Sequence, residues 1–186
     1  DCSVFQLRKE VERSGRNWYK RRVISPDDFR RVLGHFCSGV TVITTMDSEG
    51  RPAGLTASAF TSVSLNPPLI LVCVSHDAHS YPALAEARHF AVNILAGHHE
   101  TVSNRFATKP AKHPSEKFEG VDFRQSNLGL PVLKDSLAEL ECEVMHRYPA
   151  GDHTIFVGRV EAAESRGDAG LEPLLYYRGK YRRIHG

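Results

Sequence analysis

The chain has 186 residues, a length that suits one domain, and a net charge of +2 from 24 basic and 22 acidic side chains spread along it. With 41% apolar and 25% charged residues it can build a packed core, which excludes a disordered chain, and its mixed charge argues against a dedicated nucleic-acid surface. No apolar run approaches the roughly 20 residues of a transmembrane helix, so no membrane span is expected. The start, Asp1-Cys2-Ser3-Val4, carries no secretory core.

In chain order, Val4, Leu7, Val11 and Trp18 space an amphipathic helix over residues 4–20, a helical extension covering 1–24 ahead of a main domain over 25–186. Ser25-Pro26-Asp27-Asp28 is a helix start: a hydroxyl N-cap, proline at the first helical position and acids in the first turn. Phe29, Val32, Leu33 and Phe36 continue it as one apolar stripe. The period then changes. Val40–Thr45 is β-branched and predicts a strand, Asp47–Gly50 a turn, and Leu69–Val74 an apolar strand. His79–Arg88 predicts a short helix, Phe90–Leu95 a strand, and His98–Thr108 a second short helix. Residues 109–131 predict a long loop, a length often tied to function. Leu137–Tyr148 and Thr154–Val160 predict strands joined by a turn at Pro149–Asp152, and Leu174–Tyr177 a last short strand. Many strands and few helices give a mainly β class: a closed antiparallel barrel with peripheral helices.

Cys2, Cys37, Cys73 and Cys142 lack the spacing of a zinc or thioredoxin-type pair. The last three sit among apolar neighbours and read as small buried hydrophobes, and free thiols make the cytoplasm the expected compartment. Of the histidines, His76 and His79 are three apart and His98 and His99 adjacent, without acidic or Cys ligands at matching spacing, so no metal is expected. There is no Gly-x-Gly-x-x-Gly element, no P-loop and no Gly-x-Ser-x-Gly elbow, so a dinucleotide would bind without a Rossmann fold and a hydrolase is not expected.

The segment Gly54–Pro68 carries the most information. Its Ala, Ser and Thr residues let a flat ligand approach the backbone, whose N–H groups can then bond to it; the alternative is a Ser/Thr-rich edge strand facing water. This run resembles the signature of the short-chain flavin reductases, the reductase components of two-component flavin monooxygenases. Phe29–Thr45 resembles that family's opening helix and strand, Gly151–Val160 its Gly-Asp-His strand, and Pro173–Tyr181 its C-terminal motif. The resemblance spans about Ser25 to Ile184.

The resemblance implies an FMN-binding split β-barrel with Greek-key topology, a homodimer, and hydride transfer from NADH or NADPH to FMN or FAD, the reduced flavin passing to a partner monooxygenase. It places Thr56, Ala57, Ser58 and Ala59 along the isoalloxazine edge, and Cys73, Val74 and Ser75 beside the ribityl chain. His79 and Ser80 fall at the flavin phosphate, Arg105 and Phe106 at further flavin contacts. His153 falls beside the nicotinamide, where it is the one catalytic candidate, and Tyr177 and Arg178 at the dinucleotide. A histidine after Gly-Asp is also a common turn residue bonded to the preceding Asp. A flavin carrier or sensor, or an oxidase of another small substrate, would share the fold. The N-terminal helix and the Lys-, His- and Pro-rich loop 109–117 depart from the pattern and receive no role from it.

Overall fold

The computed structural model describes residues 24–166 and 170–184, so the expected helix over 4–20 lies outside the described residues. The chain divides into two units, one ending at Leu33 and one running from Gly34 onward. In the first, α1 (Pro26–Leu33) begins as its sequence requires: the Asp28 amide donates to the Ser25 hydroxyl at 3.0 Å, which caps the helix. Along its stripe Phe29 and Val32 keep 53% and 54% of their surface exposed.

The second unit is built on one seven-stranded antiparallel sheet. Its strands are β2 (Thr41–Met46), β3 (Pro52–Ala57), β4 (Phe60–Leu65), β5 (Pro68–Ser75), β6 (His89–Ile94), β9 (Ala138–Ala150) and β10 (His153–Ser165). They lie in the order β3-β2-β6-β9-β10-β5-β4. Three hairpins, β2–β3, β4–β5 and β9–β10, are joined by a crossover from β5 to β6 that passes the β9–β10 pair, a Greek-key arrangement. The two outermost strands, β3 and β4, are consecutive in the chain and separated only by Ser58 and Ala59. Two residues span under about 11 Å, so the sheet must curl until its edges meet. That makes it a barrel split along one seam, and the seam positions the site.

Both faces of the curled sheet are covered. The inner face packs Ile43, Val72, Val74, Phe90, Val92 and Phe156 around Leu84 of α2 (Tyr81–Glu86). The outer face carries Val40, Val42 and Leu95 beneath Phe106 of α3 (Glu100–Ala107), Phe118 and Leu174. Burying each of these large side chains contributes about 1.5–3 kcal/mol. Gly158 sits on the inner face of β10, where an added Cβ would lie 2.6 Å from Phe90 Cζ; the glycine makes room for that ring beside a register shift. A separate small sheet of β1 (Ser38–Gly39), β11 (Leu175–Tyr177) and β12 (Lys180–Arg182) is tied to the large one at Leu174, whose carbonyl accepts from the Val40 amide and whose amide donates to the Leu95 carbonyl.

Several expectations need correction. The loop expected at 109–131 holds a single 3-10 turn at Pro114–Phe118 and strand β7 (Phe123–Gln125), which pairs with β8 (Pro131–Leu133). The β9–β10 strands are 13 residues each, and their turn is only Gly151-Asp152, with Gly151 at φ 66°. Cys37 is exposed, whereas Cys73 is half-buried and Cys142 buried. Tertiary position, not its apolar neighbours in sequence, decides the burial of Cys37.

Candidate active site

A cavity of about 360 Å³ opens at the seam. Its walls come from the end of β3, the Ser58-Ala59 step, the end of β5 with the residues before α2, the end of α3, and the first residue of β10. Of the residues singled out from the sequence, Thr56, Ala57, Ser58, Ala59, Cys73, Ser75, His79, Phe106 and His153 line it. Five others do not. The Val74 side chain is fully buried in the inner core. Ser80 is buried, and its hydroxyl donates to the Gly54 carbonyl at 2.6 Å instead of opening to the cavity. The Arg105 guanidinium donates to the Glu119 carbonyl. Tyr177 ends β11 in the small sheet, and Arg178 follows it in a positive-φ turn (51°), its amide bonded to the Gly34 carbonyl.

The β3 wall is a sheet edge. Backbone groups along an outermost strand point alternately toward the neighbouring strand and away from it. The Gly54 carbonyl points away from β2, since it accepts from Ser80 Oγ and Lys117 Nζ. By the two-residue repeat the backbone of Thr56 faces the same way, while the Ala57 carbonyl is held inward by the Thr41 hydroxyl at 2.7 Å. The Thr56 hydroxyl donates to the Ser103 carbonyl at 2.6 Å, which ties β3 to α3 and leaves its main chain toward the cavity. Ser58 and Ala59 are exposed at the seam, and the Ala59 carbonyl accepts from the Cys73 amide. Small side chains and outward-facing main chain fit the edge of a flat, polar heterocycle.

His153 opens β10 opposite Ser75, immediately after the tight turn. Its Nδ1 lies 2.7 Å from Asp152 Oδ1, and that bond holds the Asp152 carboxyl below the usual carboxylate range. The turn is braced from below. The His76 amide donates to the Asp152 carbonyl, and the Thr154 hydroxyl lies 3.0 Å from both His76 Nε2 and Tyr81 Oη. With Nδ1–H donated to a carboxylate, Nε2 is the nitrogen left as an acceptor. His153 is thus both a turn residue bonded to its Asp and a wall of the cavity.

The structure adds residues that the sequence did not mark: Asp77, Thr108, Lys109 and Lys117. Lys117 is nine-tenths buried, and burial pushes its ammonium below the ordinary lysine pKa. A lysine gives no sequence signal of its own burial. Among the described residues no group of three or more His, Cys, Asp or Glu side chains gathers to hold a metal, and no helix is long and apolar enough to cross a membrane.

Residues 33–185 match the model of the flavin reductase like domain. Among relatives, the chain is 42% identical over 159 residues to "Probable flavin reductase" of Rhizobium meliloti, covering 86% of this chain but 49% of that protein. It therefore spans about half the length of that relative. It is 40% identical over 161 residues to the "Flavin-dependent monooxygenase, reductase subunit HsaB" of Mycobacterium tuberculosis, covering 87% of this chain and 83% of that one. Among solved structures, the Streptomyces globisporus C-1027 NADH:FAD oxidoreductase SgcE6 superposes with a TM-score of 0.79 at 38% identity, over 89% of this chain and 98% of the other. With nearly the whole second unit matched, the chain belongs to the flavin reductase like domain family.

Proposed function

We propose that the chain is an NAD(P)H-dependent flavin reductase that takes FMN or FAD into the seam cavity and supplies reduced flavin to a partner monooxygenase. The observation that carries the reading is the seam itself: a cavity walled by a sheet edge with outward main chain, small side chains and two lysines. The mycobacterial relative is a monooxygenase reductase subunit, and the Streptomyces protein works between NADH and FAD. Bound flavin supplies the chemistry, accepting hydride from a reduced nicotinamide.

The chain's part is positioning. Outward N–H groups on the Thr56–Ala59 stretch meet the ring edge and stabilise negative charge that gathers there. The braced hairpin holds His153 at the mouth, where Nε2 can accept from the carboxamide N–H of the nicotinamide and fix its distance from the ring. No side-chain base is required.

The functional form is a homodimer. Edge strand β4 leaves Val63 and Leu65 at 51% and 94% exposure, and an isologous partner is the commonest cover for such a strand. Light scattering at micromolar concentration reads a dimer mass; a monomer contradicts it. The free thiols Cys37, Cys73 and Cys142 support a reducing compartment, the cytoplasm. Mixing the protein with NADH and FMN or FAD in air, and following nicotinamide absorbance, tests the activity. Turnover is expected; a yellow protein that never consumes NADH would instead be a carrier or sensor.

A further inference from the structure

Taking a lysine ammonium out of water is costly unless a counter-charge meets it. Lys117 keeps 6% of its surface exposed, yet no carboxylate pairs with it among the described residues. Its Nζ donates to the Phe106 carbonyl at 2.9 Å and to the Gly54 carbonyl at 3.3 Å. An ammonium has three N–H donors, so one remains. Both anchors are fixed. Phe106 sits near the end of α3 with its ring buried, and the Gly54 carbonyl, on edge strand β3, is also held by the Ser80 hydroxyl. The ammonium is therefore locked in place at the wall of the seam cavity. Of the side chains lining that cavity, Lys109 and Lys117 are cationic and Asp77 is the one carboxylate, leaving a positive excess with histidines neutral.

We propose that Lys117 is a phosphate-binding residue whose third N–H donates to the phosphate of the bound flavin nucleotide. The assignment rests on the flavin reductase reading. Position favours phosphate over the ring. Gly54 and Ser58 are four residues apart along an extended strand, about 13 Å. That is room for a ribityl chain between a ring at Ser58–Ala59 and a phosphate at Lys117. A compact, strongly charged ammonium also suits a phosphate oxygen better than a ring edge. Thr108 and Lys109, which line the same cavity, complete an anion-accepting wall.

The test is flavin binding without nicotinamide, read by fluorescence titration with riboflavin, FMN and FAD. The proteins are wild type, Lys117→Gln, Lys117→Met and Lys117→Arg, each checked for folding by circular dichroism and melting. Gln keeps a donor for the two carbonyls but loses the charge. The expected result is FMN and FAD weakened roughly 10- to 100-fold in the Gln and Met variants, the loss of one charge-assisted bond. Riboflavin should stay within about twofold, and Arg should restore part of the preference. A folded Gln or Met variant with an unchanged ratio of FMN to riboflavin affinity overturns the proposal and leaves Lys117 a structural tie. Equal losses for all three ligands also overturn it, since the variant has then reshaped the cavity. If wild type binds no flavin at all, the functional reading itself fails and the assignment falls with it.

Discussion

Replacing Gly54 with alanine tests whether the cavity floor is packed as described. A Cβ at residue 54 would stand 2.8 and 3.0 Å from Phe106 Cε1 and Cδ1, and 3.1 Å from the Ile43 carbonyl oxygen. The carbonyl belongs to the β2–β3 ladder and cannot yield. The Phe106 ring is buried and wedged edge-on against Phe118 at 4.9 Å between centroids, so it can retreat only by disturbing the outer core. Overpacking of this kind costs about 1–3 kcal/mol, and lower backbone entropy in the unfolded alanine chain returns about 0.4–1 kcal/mol. A net loss of about 1–2 kcal/mol lowers Tm by roughly 2–8 °C in a chain of this size. Phe106 also lines the cavity and its carbonyl anchors Lys117, so FMN affinity should fall with stability. The comparison variant is Gly158→Ala, whose Cβ would meet Phe90 Cζ at 2.6 Å and Cys142 Cβ at 2.9 Å on the inner face, away from the cavity lining. It should lose comparable stability while folded protein keeps its FMN affinity. Calorimetry and flavin titration read both quantities. A Gly54→Ala protein with unchanged Tm and FMN affinity would refute the packing of Phe106 on Gly54.

Other outcomes follow from the same geometry. His153→Ala should raise KM for NADH roughly 2- to 10-fold, the loss of one neutral hydrogen bond, with kcat little changed; unaltered kcat/KM would leave His153 a turn residue, and lost flavin binding would move it to the other ligand. Among the described cysteines, a thiol reagent on folded protein should label exposed Cys37 first, Cys73 slowly because burial raises its pKa, and Cys142 not at all, its thiol being buried and pushed up to about 12. Saturating FMN should shield Cys73, which lines the cavity; peptide mass spectrometry reads the labels, and early modification of Cys142 would contradict its burial. FMN should slow amide exchange in the Thr56–Ala59 segment more than in β9, and uniform protection would argue against binding at the seam.

The central strands were legible because burial on both faces forces β-branched and apolar runs. Val40–Thr45, Leu69–Val74 and Phe90–Leu95 each fall within a residue or so of β2, β5 and β6. The β9–β10 hairpin was underestimated because Pro149 reads as a terminator. It survives inside β9 because β6 pairs only with Ala138–Glu143, so the missing N–H of Pro149 faces no neighbour on that side. The short strands Phe123–Gln125 and Pro131–Leu133 are too brief to show a period. Of the residues lining the cavity, the small-residue run Thr56–Ala59 and His153 are singled out by chemistry and family pattern. Ser80 could not be judged, because its hydroxyl is consumed by a carbonyl 26 positions earlier. Lys117 could not be judged either, because its placement depends on two carbonyls that only the fold brings together.

The seam explains why the site lies where it does. A barrel closed by a full ladder has no unpaired edge, whereas this sheet ends in β3 and β4 and must satisfy their outward backbone groups by other means. Part of that demand is met internally: Ser80 and Lys117 converge on the Gly54 carbonyl, and the Cys73 amide bonds the Ala59 carbonyl. The outward groups at Thr56 and Ser58 lie where the side chains are small and the cavity is open. On the proposed reading, a flavin ring edge, with acceptors and a donor in one plane, would continue the interrupted ladder there and complete hydrogen bonding that the protein leaves unfinished. Gly54 lies between the Phe106 ring and the Lys117 ammonium, so a substitution there is expected to change stability and flavin affinity together.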